Sequence, residues 1–232
     1  MNIRALVSKE VLQALEQIPT CVVANAIETF EVRLRNTGFA DASIRCMLEG
    51  MPPLVGYAAT AHLRTGEPPM SKRTYQDRAD WWQSILEIPE PRVVVLQDRD
   101  DPPGVGAHLG DMHAAILRAL GCVGFVTNGA VRELPRLREM RFQAFAGNVS
   151  VSHAYAHIFD FGHPVKIGGL EIKSGDLLHG DRHGILTIPN DLAAEIPTVA
   201  ARLQGVEQTV IDYCGSSKFS VDGLSKLINE LS

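Results

Sequence analysis

The stretch Gly104–Glu133, GVGAHLGDMHAAILRALGCVGFVTNGAVRE, constrains the fold more than any other part of the chain. It reads as a glycine-rich loop, a short amphipathic helix, a buried strand and a polar turn. Ile116, Leu117 and Leu120 fall at helical spacing after Gly110-Asp111, and Gly121 supplies the stop signal. The apolar run Val123–Val126 follows as a core strand would, and Thr127-Asn128-Gly129 are turn residues that would close it. Arg132-Glu133 stand just beyond. A loop leading into a helix offers backbone N–H groups with no intrahelical partner, a seat for an anion. A guanidinium beside a carboxylate at the end of a strand lies where α/β folds place their chemistry.

The rest of the chain supplies helices on both sides of short strands. Ser8 is placed to cap a helix with Val11, Leu12, Leu15 and Ile18 on one face, ending at Pro19. Thr20 is placed to cap a second, carrying Val23, Ile27 and Phe30. Leu54–Leu63 and Arg92–Leu96 are strand-like, and Tyr75–Ile88 is helical with Trp81, Ile85 and Ile88 on one stripe. Gln97–Pro103 reads as a solvated turn. Beyond Glu133, short strands are expected at Phe142–Val151, Val165–Ile167, Leu170–Ile172, Leu177–Leu178 and Ile185–Ile188. Gly168-Gly169 is a two-residue hairpin signal. Pro189 opens a helical tract to about Tyr213, and Ser220 caps a last helix through Leu231. With no repeat or evident linker, the expectation is one domain over 1–232, with a core at about 20–190 and a C-terminal helical extension at 191–232.

Composition excludes several function classes. At 45% hydrophobic and 21% charged, the 232 residues are those of an ordinary globular protein. A net charge of −5 argues against nucleic acid as a partner. No apolar run approaches the roughly 20 residues of a membrane span, and the N-terminus lacks a secretory apolar core. Cys21, Cys46, Cys122 and Cys214 are scattered without a CxxC pair, so the setting expected is reducing and cytoplasmic.

Several constellations carry chemistry. Asp111 at the helix start is a capping residue or a functional acid beside anion-binding amides. Three histidine sets are candidate metal sites: His108, Asp111 and His113; His153 and His157; and His179, Asp181 and His183. For each, a solvated or core-edge histidine is the plainer reading. No GxSxG, HExxH or P-loop motif is present, and Cys122 within an apolar run reads as core.

The run Gly110–Glu133 resembles the RraA-like family, which takes in the regulator of ribonuclease activity A and its aldolase relatives. GDLLHGDRHGILTIP, Gly175–Pro189, resembles that family's strand–turn–strand ending in proline, and PVKIGGLEIKSGD, Pro164–Asp176, fits between them. The resemblance runs from about Thr20 to Tyr213. It implies an α/β fold, a single β/β/α layered domain, here with added N- and C-terminal helices, assembling as a homotrimer or a dimer of trimers. It also implies a lyase that cleaves a 4-hydroxy-2-oxo acid or decarboxylates oxaloacetate, releasing pyruvate, with Mg²⁺ or Mn²⁺. By that resemblance Glu133 holds the metal, and Arg132 is catalytic and meets the oxo acid. The substrate carboxylate rests at Gly110, Met112 and His113, Asp111 moves a proton, and Glu207 of a neighbouring subunit assists. Two positions depart from the family pattern: Glu133 where the aldolases carry Asp, and Asn128 where many members carry Asp. Relatives that regulate ribonuclease E lack the metal carboxylate, so the alternative is a non-catalytic, protein-binding ring.

Overall fold

Apolar residues on four strands face both ways, and this decides the layering. The computed structural model describes residues 6–69 and 78–231. In chain order these form α1 (Lys9–Leu15), α2 (Thr20–Glu28), β1 (Arg45–Cys46), β2 (Leu54–Arg64), α3 (Ala79–Leu86), β3 (Arg92–Asp98), β4 (Ala107–Leu109), α4 (Asp111–Ala119), β5 (Cys122–Val131) and α5 (Leu134–Glu139). They continue with β6 (Gln143–Val149), β7 (His157–Phe161), β8 (Val165–Ile167), β9 (Leu170–Ile172), β10 (Leu177–Asp181), β11 (Gly184–Ile188), α6 (Ile196–Cys214) and α7 (Val221–Leu231).

Nine strands make one sheet in the order β1-β6-β5-β3-β2-β10-β11, with β4 also on β5 and β7 also on β2. The central neighbours β6, β5, β3 and β2 run parallel, and β10 joins β2 antiparallel. Parallel strands are covered on both faces and read as near-continuous apolar runs; Val93–Leu96 is wholly buried. Val94, Leu96, Phe125, Ala144 and Leu177 point to a core shared with the helices, including Trp81 and Ile85 of α3 and Ala114 and Leu117 of α4. Their alternates Val93, Val95, Val126, Phe145 and Leu178 meet Val165, Ile167, Leu170 and Ile172 of the separate β8–β9 hairpin. The result is a hairpin layer, a sheet and a helical layer, the β/β/α arrangement expected. Gly168 and Gly169, with φ of 50° and 77°, make the hairpin turn that side chains would strain.

Many expected elements stand where the sequence puts them. Ser8 Oγ accepts the Val11 N–H to cap α1. Gly223 N–H donates to Ser220 Oγ at the head of α7. Helix α3 carries the expected Trp81 and Ile85, while Tyr75–Asp77 lie outside the described residues. No helix among the described residues is long and apolar enough to cross a membrane.

Other expectations need correction. Thr20 is not the cap of α2; the carboxylate of Asp181 accepts its N–H at 2.9 Å instead. The tract after Pro189 becomes helical only at Ile196. Thr127-Asn128-Gly129 does not end its strand, which runs on to Val131 with a register shift against β6. The reason is Asn128, whose Oδ1 accepts the Asp98 N–H at 2.7 Å and whose Nδ2 donates to Asp98 O at 2.9 Å, so a turn-forming side chain clamps the neighbouring strand. Of Gln97–Pro103, Arg99 and Asp101–Pro103 are exposed as a solvated turn should be, while Gln97 and Asp98 end β3 and two of the acids are pinned. Asp98 is buried and accepts N–H bonds from Gly104 and Asp100, while Asp100 Oδ2 accepts those of Thr65 and Gly66. Strands β4 and β7 and helix α5 add elements that periodicity did not reveal.

Buried His179 fastens the N-terminal helices to the sheet. Its Nδ1 lies 3.0 Å from Thr20 Oγ1 and its Nε2 3.0 Å from Leu15 O. Nε2 therefore carries the proton and Nδ1 accepts from the hydroxyl, a neutral ring. Burial lowers its pKa, outweighing the Leu15 carbonyl and the Asp181 charge, which favour protonation. Below a pH of about 6.5 the unfolded chain takes up a proton that folded His179 refuses, so stability falls with pH. In His179→Leu, urea unfolding at pH 7 should show a loss of roughly 1–3 kcal/mol for each partner left unpaired. The variant's stability should also fall less steeply from pH 6.5 to 5 than the parent's.

Candidate functional site

The carboxyl ends of the parallel strands gather the polar residues. Strand β5 ends at Val131 beside Leu109 of β4, and the Arg132 N–H donates to Leu109 O at 3.0 Å. That bond sets the Arg132-Glu133 pair against Gly110 and the first residue of α4, Asp111. Two motif ends more than twenty residues apart in sequence thus become one cluster.

Glu133 turns sharply to reach it. With φ of 59° and ψ of 36° it occupies the left-handed region, a costly conformation for a residue with a side chain, and so leads the chain into α5. Its Oε2 accepts the Asp111 N–H at 2.8 Å, and its Oε1 lies 3.5 Å from Arg132 Nη2. A methyl group on Gly110 would stand 2.4 Å from Glu133 Oε2 and 3.2 Å from Arg132 Nε, so glycine gives both side chains room above the helix start. The seat foreseen for an anion at the head of α4 thus already holds a carboxylate. The Asp111 carboxylate in turn pairs with α5, its Oδ2 3.8 Å from Arg136 Nε. Arg136 escaped sequence reading because the short, proline-containing LPRLRE gives no clear helical period.

The family model described as RraA-like, Aldolase/RraA, matches residues 20–187, a span that holds this cluster, the β8–β9 hairpin and all but the last residue of β10–β11. The chain belongs to the RraA-like family. Among curated relatives, a Halalkalibacterium halodurans protein provisionally named a 4-hydroxy-4-methyl-2-oxoglutarate aldolase is 28% identical over 127 residues, 54% of this chain and 60% of that one. Protein DlpA of Legionella pneumophila is 29% identical over 149 residues, 56% of this chain and 23% of that one. The matches therefore span less than two thirds of either relative. Among solved structures, an uncharacterized Pseudomonas syringae protein superposes with a TM-score of 0.71 at 20% identity, covering 96% of this chain and all of that one. Streptomyces coelicolor RraAS2, described as an unusual member of the RNase ES inhibitor RraA protein family, gives 0.68 at 21% identity, covering 89% and 98%. These likenesses establish the shared fold.

Of the residues anticipated for this RraA-like site, Gly110, Asp111, Arg132 and Glu133 come together. Met112 follows on the first turn with its side chain exposed, and His113 turns inward. Glu207 is not part of the cluster: it stands on α6, which packs chiefly on α2, and its Oε1 accepts from Asn25 Nδ2 at 3.4 Å. The histidine sets do not assemble into metal sites, since no group of three or more His, Cys, Asp or Glu among the described residues is placed to hold an ion. His153 and His157 each turn Nδ1 to a carbonyl of their own loop, on Ala154 and Tyr155. His179 is structural, as described above. Cys122 is a core residue, and burial pushes its thiol up to about 12.

His108 and His113 form a buried neutral pair behind the cluster, their ring centroids 4.5 Å apart. Burial, then the charges of Arg132 and His153, push His113 down to about 4. His108 is held well below the ordinary imidazole value, by burial and by His113. The His108 ring is 3% exposed, lies against Phe125 and Trp81, and has no hydrogen-bond partner for either nitrogen among the described residues. An unpaired buried polar group costs roughly 1–3 kcal/mol. His108→Met, of similar volume, removes both unpaired nitrogens and should be neutral or stabilising by about 1 kcal/mol at pH 7. The gain should grow toward pH 5, because the share of the acid loss that comes from protonating His108 in the unfolded chain below about 6.5 is present in the parent and absent from the variant. Thermal melts across that range would show it; a variant less stable than the parent at every pH would mean the ring's packing outweighs its unpaired nitrogens.

Proposed function

We propose that this chain is a divalent-metal-dependent lyase acting on a small 4-hydroxy-2-oxo acid or on oxaloacetate and releasing pyruvate. The observation that carries this reading is the meeting of Arg132, Glu133 and Asp111 over Gly110 at the head of α4. Such a cluster offers what the bond cleavage needs. Helix amides and a guanidinium bind the carboxylate end, a cationic donor faces the oxo oxygen, and an acid handles the proton.

The donor set fits a hard cation. Glu133 and Asp111 present carboxylate oxygens on side chains 36% and 42% exposed, with room for the waters that Mg²⁺ keeps. Glu133 would hold the ion, with Asp111 beside it. When bound, the metal supplies Lewis-acid polarisation of the 2-oxo group. The chain's own residues do the rest. Amides of Asp111, Met112 and His113 seat the substrate carboxylate, and Arg132 donates to the oxo oxygen as negative charge moves onto it. Asp111, through a water, takes the proton of the 4-hydroxyl, whose oxygen forms the C=O of the departing fragment at C4 while the C3–C4 bond breaks. The electron pair passes into the C2–C3 enolate, and a proton returned to C3 gives pyruvate. Oxaloacetate loses CO₂ to the same enolate and needs no hydroxyl proton removed.

Glu207, exposed and away from this cluster in its own chain, would act from a neighbouring copy in a homotrimer or a dimer of trimers. A second reading rests on the engagement of Glu133: with its carboxylate held by Asp111 and Arg132, the chain would be a silent binding ring of the kind formed by ribonuclease regulators. A coupled pyruvate-release assay over 4-hydroxy-2-oxo acids and oxaloacetate, with and without Mn²⁺, separates the two. Mn²⁺-dependent release is expected from the lyase and none from the ring. Arg132→Lys should lose roughly ten- to a hundredfold in rate, because a compact ammonium cannot reproduce the two-pronged guanidinium contact. Glu133→Gln should lose the metal stimulation. Light scattering of the parent should return three or six copies.

A further inference from the structure

Glu133 makes the two contacts that a substrate carboxylate would make. Its Oε2 sits on the Asp111 N–H at the α4 terminus, and its Oε1 faces the Arg132 guanidinium, both side chains filling the space that Gly110 leaves by having no Cβ. The left-handed backbone at Glu133 aims the side chain there, and its second methylene supplies the reach. An aspartate on the same backbone would stop about 1.5 Å short, one C–C bond. Two carboxylates cannot share one N–H and one guanidinium without repulsion.

We propose that Glu133 is an internal occupant of the oxo-acid seat, displaced when it turns to a divalent cation, so that the cation and the oxo acid bind cooperatively. The inference rests on the lyase reading for the identity of the ligand. Glu133 has two stations that exclude each other. On the helix it closes the seat and leaves the metal one carboxylate poorer. On the metal it frees the Asp111 N–H and the Arg132 fork for the substrate. Each ligand then favours the arrangement the other needs, which makes the coupling reciprocal. The carboxylate of any 2-oxo acid meets this competition in the absence of metal, whatever its distal end.

The test is pyruvate binding to the full chain by calorimetry, in EDTA and in Mg²⁺, with turnover playing no part. Glu133→Gly removes the occupant and suits the φ of 59°, so the fold survives. In EDTA it should bind pyruvate at least tenfold more tightly than the parent, and added Mg²⁺ should change its affinity little. The parent should gain at least tenfold in pyruvate affinity from Mg²⁺. Glu133→Asp, too short to cap Asp111, should fall between the two in EDTA. A parent that binds pyruvate in Mg²⁺ alongside a Glu133→Gly variant no tighter than the parent in EDTA would overturn this inference and leave the lyase reading standing. Pyruvate binding by neither protein, in either buffer, would overturn both.

Discussion

Burial of the central parallel strands on both faces is the constraint on which the rest of the molecule depends. Helices cover one side of β2, β3, β5 and β6, and the β8–β9 hairpin covers the other, so polar side chains have almost no place along the strands. They collect where the strands end. Asp98 and Asp100 lock the loop after β3, Asn128 ties β5 to β3, and Arg132 and Glu133 follow β5. The pairing of β4 with β5, the bond from Arg132 N–H to Leu109 O and that from Asp111 N–H to Glu133 then bring this end of the sheet against the start of α4.

At that junction, electrostatics and backbone conformation act on the same few atoms. The head of α4 attracts negative charge through amides that have no partner within the helix and through the helix dipole. Glu133 satisfies it, at the expense of a left-handed backbone that glycine would adopt more easily. Arg132 Nη2 lies 3.5 Å from that carboxylate, and the charge of Arg132 disfavours protonation of the buried His113 imidazole. The site therefore combines charged groups at its mouth with neutral, dry rings behind it.

The sequence was most informative where the physics is local or strictly periodic. Val93–Leu96 reads as a buried strand because four consecutive apolar, largely β-branched residues fit little else. The β8–β9 hairpin is legible because only glycine readily adopts the backbone that Gly168-Gly169 requires. Helix α1 is legible because Ser8 and its amphipathic face lie within a few turns of one another. Short or irregular elements were not. Helix α5 is a single proline-bearing turn and a half, and β7 exists by virtue of its pairing with β2. Asn128 behaves as a turn residue in isolation and as a clamp when a second strand lies beside it.

The sequence by itself determined many of the helices and strands and the candidates Gly110, Asp111, Arg132 and Glu133, since binary pattern and motif are written along the chain, and its motifs carried the family resemblance that implied the layered fold. Only the tertiary structure decided how those candidates meet. That Glu133 caps α4, that Asp111 faces Arg136, that His108 and His113 pack ring against ring, and that Glu207 stays on the α2–α6 face all depend on distances between segments brought together by folding. A residue's type states what bonds it can make. Which bond it makes depends on which partner the fold brings within about 3 Å, and on whether water is left there to compete.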